Sequence, residues 1–165
     1  MHPCAKCASI QRTCCQRAEI LVTDGDLARI RAATGRDDFH ERRRPADAAY
    51  LERDPDDPEW FDLTVGADGT RRMLRRRPDH DCVFLGERGC VLDEETRPIV
   101  CRLYPYSYNH AGLLGEDPDY CPTATLKPPG GSMVALLQMT RARAEVWRAD
   151  LYRELRADAA KRAKS

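Results

Sequence analysis

The stretch Cys82-Val83-Phe84-Leu85-Gly86-Glu87-Arg88-Gly89-Cys90-Val91-Leu92 runs on into Asp93-Glu94-Glu95-Thr96-Arg97-Pro98-Ile99-Val100-Cys101-Arg102-Leu103-Tyr104-Pro105. Its two glycines mark a tight turn. The first half therefore reads as a hairpin, with Cys82 and Cys90 near opposite ends of one small ribbon and able to face one point. In the second half Thr96 is a candidate N-cap and Pro98 suits a first helical turn, so a short helix should carry Cys101 and stop before Pro105. A ribbon and a helix with a sulfur on each piece give an α+β class: short hairpins, helices and irregular loops organised around cysteine rather than around a large apolar core.

Working towards the N-terminus, Arg71, Arg72, Arg75, Arg76 and Arg77 form the most basic segment, which as a charge run reads as a solvated strand face. Thr70 to Arg75 is a strand returning from the turn Gly66-Ala67-Asp68-Gly69. The alternation in Trp60-Phe61-Asp62-Leu63-Thr64-Val65 makes that segment its hairpin partner. Residues 44–58, rich in Pro, Asp and Arg, read as a solvated loop, and residues 37–43 as a short helix. Thr23-Asp24-Gly25-Asp26 supplies N-cap candidates and acids for a first turn; Leu27, Ile30 and Ala33 follow at helical spacing, and Gly35 ends that helix. Ile20-Leu21-Val22 is a candidate strand. Residues 1–19 carry four cysteines and few large apolar side chains.

Towards the C-terminus, residues 106–131 read as irregular and contain Cys121 before Pro122. Met133, Leu137, Thr140, Ala144, Trp147, Leu151 and Leu155 then recur every three or four residues, the stripe of an amphipathic helix. It is expected to pack on the domain, with Arg141 and Glu145 spaced to pair. Residues 1–131 are accordingly expected to form a cysteine-cluster metal-binding domain, and residues 132–165 an amphipathic helix packed on it.

Composition narrows the function. Twenty-seven basic and twenty-seven acidic side chains cancel among 165 residues, which argues against binding nucleic acid by bulk charge. No apolar run approaches a membrane span, and Met1-His2-Pro3-Cys4 does not open a secretory leader, so a cytoplasmic location is expected. In a reducing compartment eight cysteines are unpaired thiols or metal ligands, not disulfides.

Their spacing favours ligation. Cys4 and Cys7 are separated by two residues, a spacing that points two thiolates at one ion. Cys14 and Cys15 are adjacent and cannot readily bridge each other. Cys82, Cys90, Cys101 and Cys121 each lie in or beside a turn. Two four-thiolate sites or one polynuclear centre would use all eight, and the partition can mix the two groups. Soft thiolates select zinc, iron or copper(I) over magnesium and calcium; widely spaced ligands suit an iron–sulfur cluster, paired ones a zinc site. His2, His80 and His110 lie near cysteines in sequence, and loop histidines of this kind are more often simply exposed. Arg97 and Arg102 flank Cys101 and are placed to offset thiolate charge.

Cys4-x-x-Cys7…Cys14-Cys15, Cys82-x-Phe84-Leu85…Gly89-Cys90, Arg97-Pro98-x-x-Cys101-Arg102-x-Tyr104-Pro105 and Cys121 together resemble the YkgJ-type cysteine-cluster family, over roughly residues 4 to 122. Six residues separate Cys7 from Cys14, where the family's first motif is more compact. The resemblance implies zinc or iron chelation through the eight cysteines, with an iron–sulfur cluster as one form of the cofactor. Its functional alternatives are a structural zinc module presenting a surface to a protein partner, and a metal-dependent protein-modifying enzyme related to flagellin lysine methylases. No glycine-rich phosphate loop supports the last.

Overall fold

The computed structural model describes residues 14–116 and 130–165. A short helix α1, Cys14–Arg17, leads into the extended segment Ile20-Leu21-Val22, where Leu21 bridges Met73. Helix α2, Asp24–Thr34, follows as the sequence predicts. The Thr23 hydroxyl accepts from Asp26 N at 2.9 Å and the Asp26 carboxylate accepts from Thr23 N at 3.1 Å, a reciprocal capping box. Gly35, at φ 68°, closes the other end in the left-handed conformation that glycine adopts without steric cost.

Residues 37–43 are not helical. They contain a single apolar residue, Phe39, and so have no stripe to bury. Instead β1, His40–Arg43, pairs antiparallel with β2, Arg71–Leu74, in the register His40↔Leu74 to Arg43↔Arg71, which buries Phe39 completely. The expected partner of β2 is correspondingly absent. Trp60–Thr64 forms helix α3, because Trp60 and Leu63, three residues apart, pack in one cluster with the C-terminal helix. The turn at Gly66–Gly69 survives as the link from α3 to β2, with Gly66 N donating to Thr70 O at 2.8 Å. Within the loop at 44–58, Ala48–Leu51 makes one 3-10 turn and Asp57 is buried.

The ribbon β3/β4, Leu85–Gly86 with Gly89–Cys90, and helix α4, Ile99–Leu103, stand where expected, although Pro98 rather than Thr96 occupies the N-cap. Residues 106–116 form a hairpin rather than irregular chain: β5, Tyr106–Asn109, pairs with β6, Gly112–Glu116, and the Asn109 side chain accepts from Ala111 N and Gly112 N to hold its turn. The expectation for 117–129 lies outside the described residues. The C-terminal stripe is split into α5, Met133–Leu136, and α6, Arg141–Ala163. Gln138 adopts φ 55° at the break, and the Thr140 hydroxyl restarts the helix by accepting from Arg143 N. Arg141 and Glu145 both clamp the Leu113 backbone, and Glu145 pairs with Arg148.

Two apolar clusters result. One gathers Ile20, Val22, Leu27, Ile30, Phe39, Leu74, Cys82, Phe84, Leu85 and Leu92; the other gathers Leu21, Leu63, Ile99, Leu103 and Leu113 with the buried α6 face Ala144, Trp147, Leu151, Tyr152 and Leu155. The 20–22 strand divides them by its period of two, and Val100 packs against both. No helix among the described residues is long and apolar enough to cross a membrane.

Candidate metal centre

Cys101 lies in the first turn of α4, where its N–H donates to Pro98 O at 2.9 Å. That turn is anchored from below by Asp26, whose carboxylate has no exposed surface and accepts from Ile99 N at 3.1 Å and from Arg29 at 2.7 Å. The cap of α2 thus positions the helix that bears Cys101. Cys90 is brought in by the β3/β4 register, directly across from Leu85. Cys82 closes the same ribbon: its carbonyl accepts from Leu85 N, and its own N–H donates to Cys15 O at 2.9 Å. Arg76 completes the frame. Its guanidinium donates to Gln16 O at 2.7 Å, to His80 O at 2.8 Å and to Ala18 O, tying α1 to the strand that precedes Cys82. The arginine run at 71–77 is a solvated face only at Arg75 and Arg77, which are exposed. Arg71 is buried, and Arg72 bridges Asp24 at 2.5 Å and Asp158 at 2.9 Å.

Cys15, Cys82, Cys90 and Cys101 consequently meet at one apolar cluster, one from the N-terminal group of cysteines and three from the later group. Burial pushes the Cys82 thiol up to about 12, with Cys15 and Cys90 adding to the rise and the Phe84 backbone and Arg76 opposing it. Burial lifts Cys101 well above the ordinary thiol range, and Cys15, Cys82 and Cys90 lift it further. Cys90 is raised for the same reason, while the Leu92 backbone and Arg97 pull the other way. Three neighbouring groups raised together describe a pocket that disfavours negative charge on its thiols. Arg97 donates to Leu92 O at 3.0 Å, and its positive charge opposes the rise at Cys90 rather than acting on Cys101. The donor set fits a thiophilic ion, zinc or iron, and not a hard cation.

Of the other expected ligands, Cys4, Cys7 and Cys121 lie outside the described residues, and for Cys14 only its place in α1 is described. The His110 ring is engaged elsewhere, its Nδ1 3.2 Å from Asp57. Asp57, Glu59 and His110 place ligand atoms within 4.8 Å of one another, a group that no spacing in the sequence announces. Tyr152 donates to Asp57 and Arg156 to Glu59, so these carboxylates already have partners within the fold.

Thiols carried by a short helix, a two-stranded ribbon and a second helix into one apolar pocket define a small α+β domain of the cysteine-cluster class. The chain belongs to the CxxCxxCC family, described as "Putative zinc- or iron-chelating domain", whose profile matches residues 3–122. No curated protein and no solved structure matches the chain.

Proposed function

We propose that this protein chelates iron, as a cysteine-ligated cluster in which Cys15, Cys82, Cys90 and Cys101 share one centre, with Cys4, Cys7, Cys14 and Cys121 completing the ligand set. The observation that carries the reading is the meeting of four thiols from segments far apart in the chain at one apolar cluster. Iron–sulfur chemistry is favoured over a single zinc ion by spacing. Four thiolates about 2.3 Å from one ion lie roughly 3.8 Å apart. Among the described residues no three cysteine sulfurs come within even 4.8 Å of one another. A polynuclear cluster accepts ligands at wider separations and from several segments.

The test is anaerobic purification with metal and sulfide analysis and Mössbauer spectroscopy. Brown protein with on the order of two to four irons per chain and matching acid-labile sulfide is expected. Colourless protein with stoichiometric zinc would replace this reading with a structural zinc module. Cys101→Ala should lose metal; unchanged metal content would remove Cys101 from the ligand set.

A further inference from the structure

We propose that the cleft beside Cys101 is a binding site for a small molecule bearing one carboxylate and a short apolar tail, with Arg102 as the carboxylate's partner. The side chain of Arg102 is only 6% exposed. Its Nε donates to Arg97 O at 2.9 Å and its Nη1 lies 3.5 Å from Glu95. The guanidinium carbon stands 6.0 Å from the centre of the Trp147 ring. These contacts fix the plane of the group. Nη2, however, is buried with no hydrogen-bond partner. A buried cationic donor left unsatisfied is costly, and native structures rarely keep one without a use for it.

The same arginine lines a small open cleft together with Glu94, Arg97, Cys101, Tyr104, Leu137 and Met139. Arg97 and Arg102 give the lining its positive charge. One wall is apolar, from Leu137 and Met139 in the break between α5 and α6, the segment where Gln138 takes its positive φ. The chemistry of the ligand follows from this inventory. An oxygen acceptor is required to satisfy Nη2, and a planar guanidinium matches a carboxylate best. Glu94, which also lines the cleft, and Glu95 nearby are paired with Arg143 at 2.6 and 2.5 Å, and their negative charge opposes a phosphate dianion more than a singly charged carboxylate. Leu137 and Met139 accommodate an alkyl tail. The site stands on Arg102 and the cleft, and holds whether or not the neighbouring thiols carry iron.

Calorimetric titration of the full-length protein as isolated tests it, with sodium butyrate as probe and butyramide and inorganic phosphate as controls. Saturable butyrate binding, at least tenfold tighter than either control, is expected. Leu137→Ser, in the irregular break, should weaken butyrate at least threefold while leaving the metal content unchanged, and Arg102→Lys should weaken it at least tenfold. Because the butyrate and butyramide comparison uses the unaltered chain, a misfolded Arg102 variant leaves it decisive. Butyrate binding no tighter than butyramide, phosphate binding as tightly as butyrate, or butyrate affinity indifferent to Leu137→Ser would each overturn the proposal.

Discussion

Asp26 and Asp24 sit two residues apart in one helical turn and live in opposite environments. Asp26 is fully buried, and burial pushes its carboxyl upward against the Thr23 backbone and the Arg29 guanidinium. Removing it leaves Arg29 half-paired and the Ile99 N–H without its acceptor, so Asp26→Ala is expected to cost about 3 kcal/mol in urea denaturation. It should also weaken metal retention, because α4 loses its anchor. Asp24 faces solvent more. Burial alone would raise its carboxyl, but Lys161 at 2.9 Å and Arg72 at 2.5 Å outweigh that and hold it at about 2, below its ordinary 3.8. A depressed carboxyl stabilises the fold above about pH 4 and loses that contribution as pH falls towards 2. Asp24→Asn should therefore be destabilising at pH 6, by roughly 1 kcal/mol after solvent screening, and nearly neutral at pH 2. A penalty that persists undiminished at pH 2 would contradict the assignment. In the sequence both residues read as helix-start acids. Which one goes inside is decided by Ile99, seventy-three positions away, and no local pattern encodes that.

Among the elements, α2 was legible because its signals are local: a capping box, apolar residues at helical spacing and a terminal glycine. The β3/β4 ribbon was legible from its two glycines. The errors fall where partners are distant. Residues 37–43 become a strand only because β2 offers an edge, and Trp60–Thr64 becomes a helix only because α6 lies across it. Apolar side chains in so short a segment satisfy both periods, and packing decides. Spacing singled out the cysteines as a group, but the meeting of Cys15, Cys82, Cys90 and Cys101 depends on Arg76, Asp26 and the ribbon register, which spacing does not carry. Two substitutions probe the element scale. Gly25 abuts the Glu154 carboxylate so closely that a Cβ would overlap it, and Glu154 is already held by Thr23 and by Arg29 at 2.7 Å. Gly25→Ala should lower the melting temperature, despite alanine's better helix propensity of ~1 kcal/mol. Leu151, fully buried on α6, should cost 2–5 kcal/mol when cut to alanine, measured by equilibrium unfolding.

At the scale of the whole molecule, the centre on one side and the α6 packing on the other are joined by an ion network. Thr23 and Arg29 meet Glu154, and Arg72 and Lys161 meet Asp24, so strand, cap and C-terminal helix lock together. Under the proposed ligation, the raised thiols make loading a proton-releasing event. As Cys82, Cys90 and Cys101 become thiolates, up to about three protons should be expelled per centre, and apparent affinity should climb with pH through neutrality. Calorimetry in buffers of different ionisation enthalpy counts those protons, and an uptake that releases none would contradict neutral thiols.

Ile20 and Val22 look one way, Leu21 the other, and Val100 touches both sides. A partition so thin works as a party wall: whatever loosens one room is felt in the next, but only through a few timbers. Stripping the protein with a chelator should therefore accelerate amide hydrogen exchange across 82–92 first, spread to 99–103 next, and leave 144–155 the last to yield.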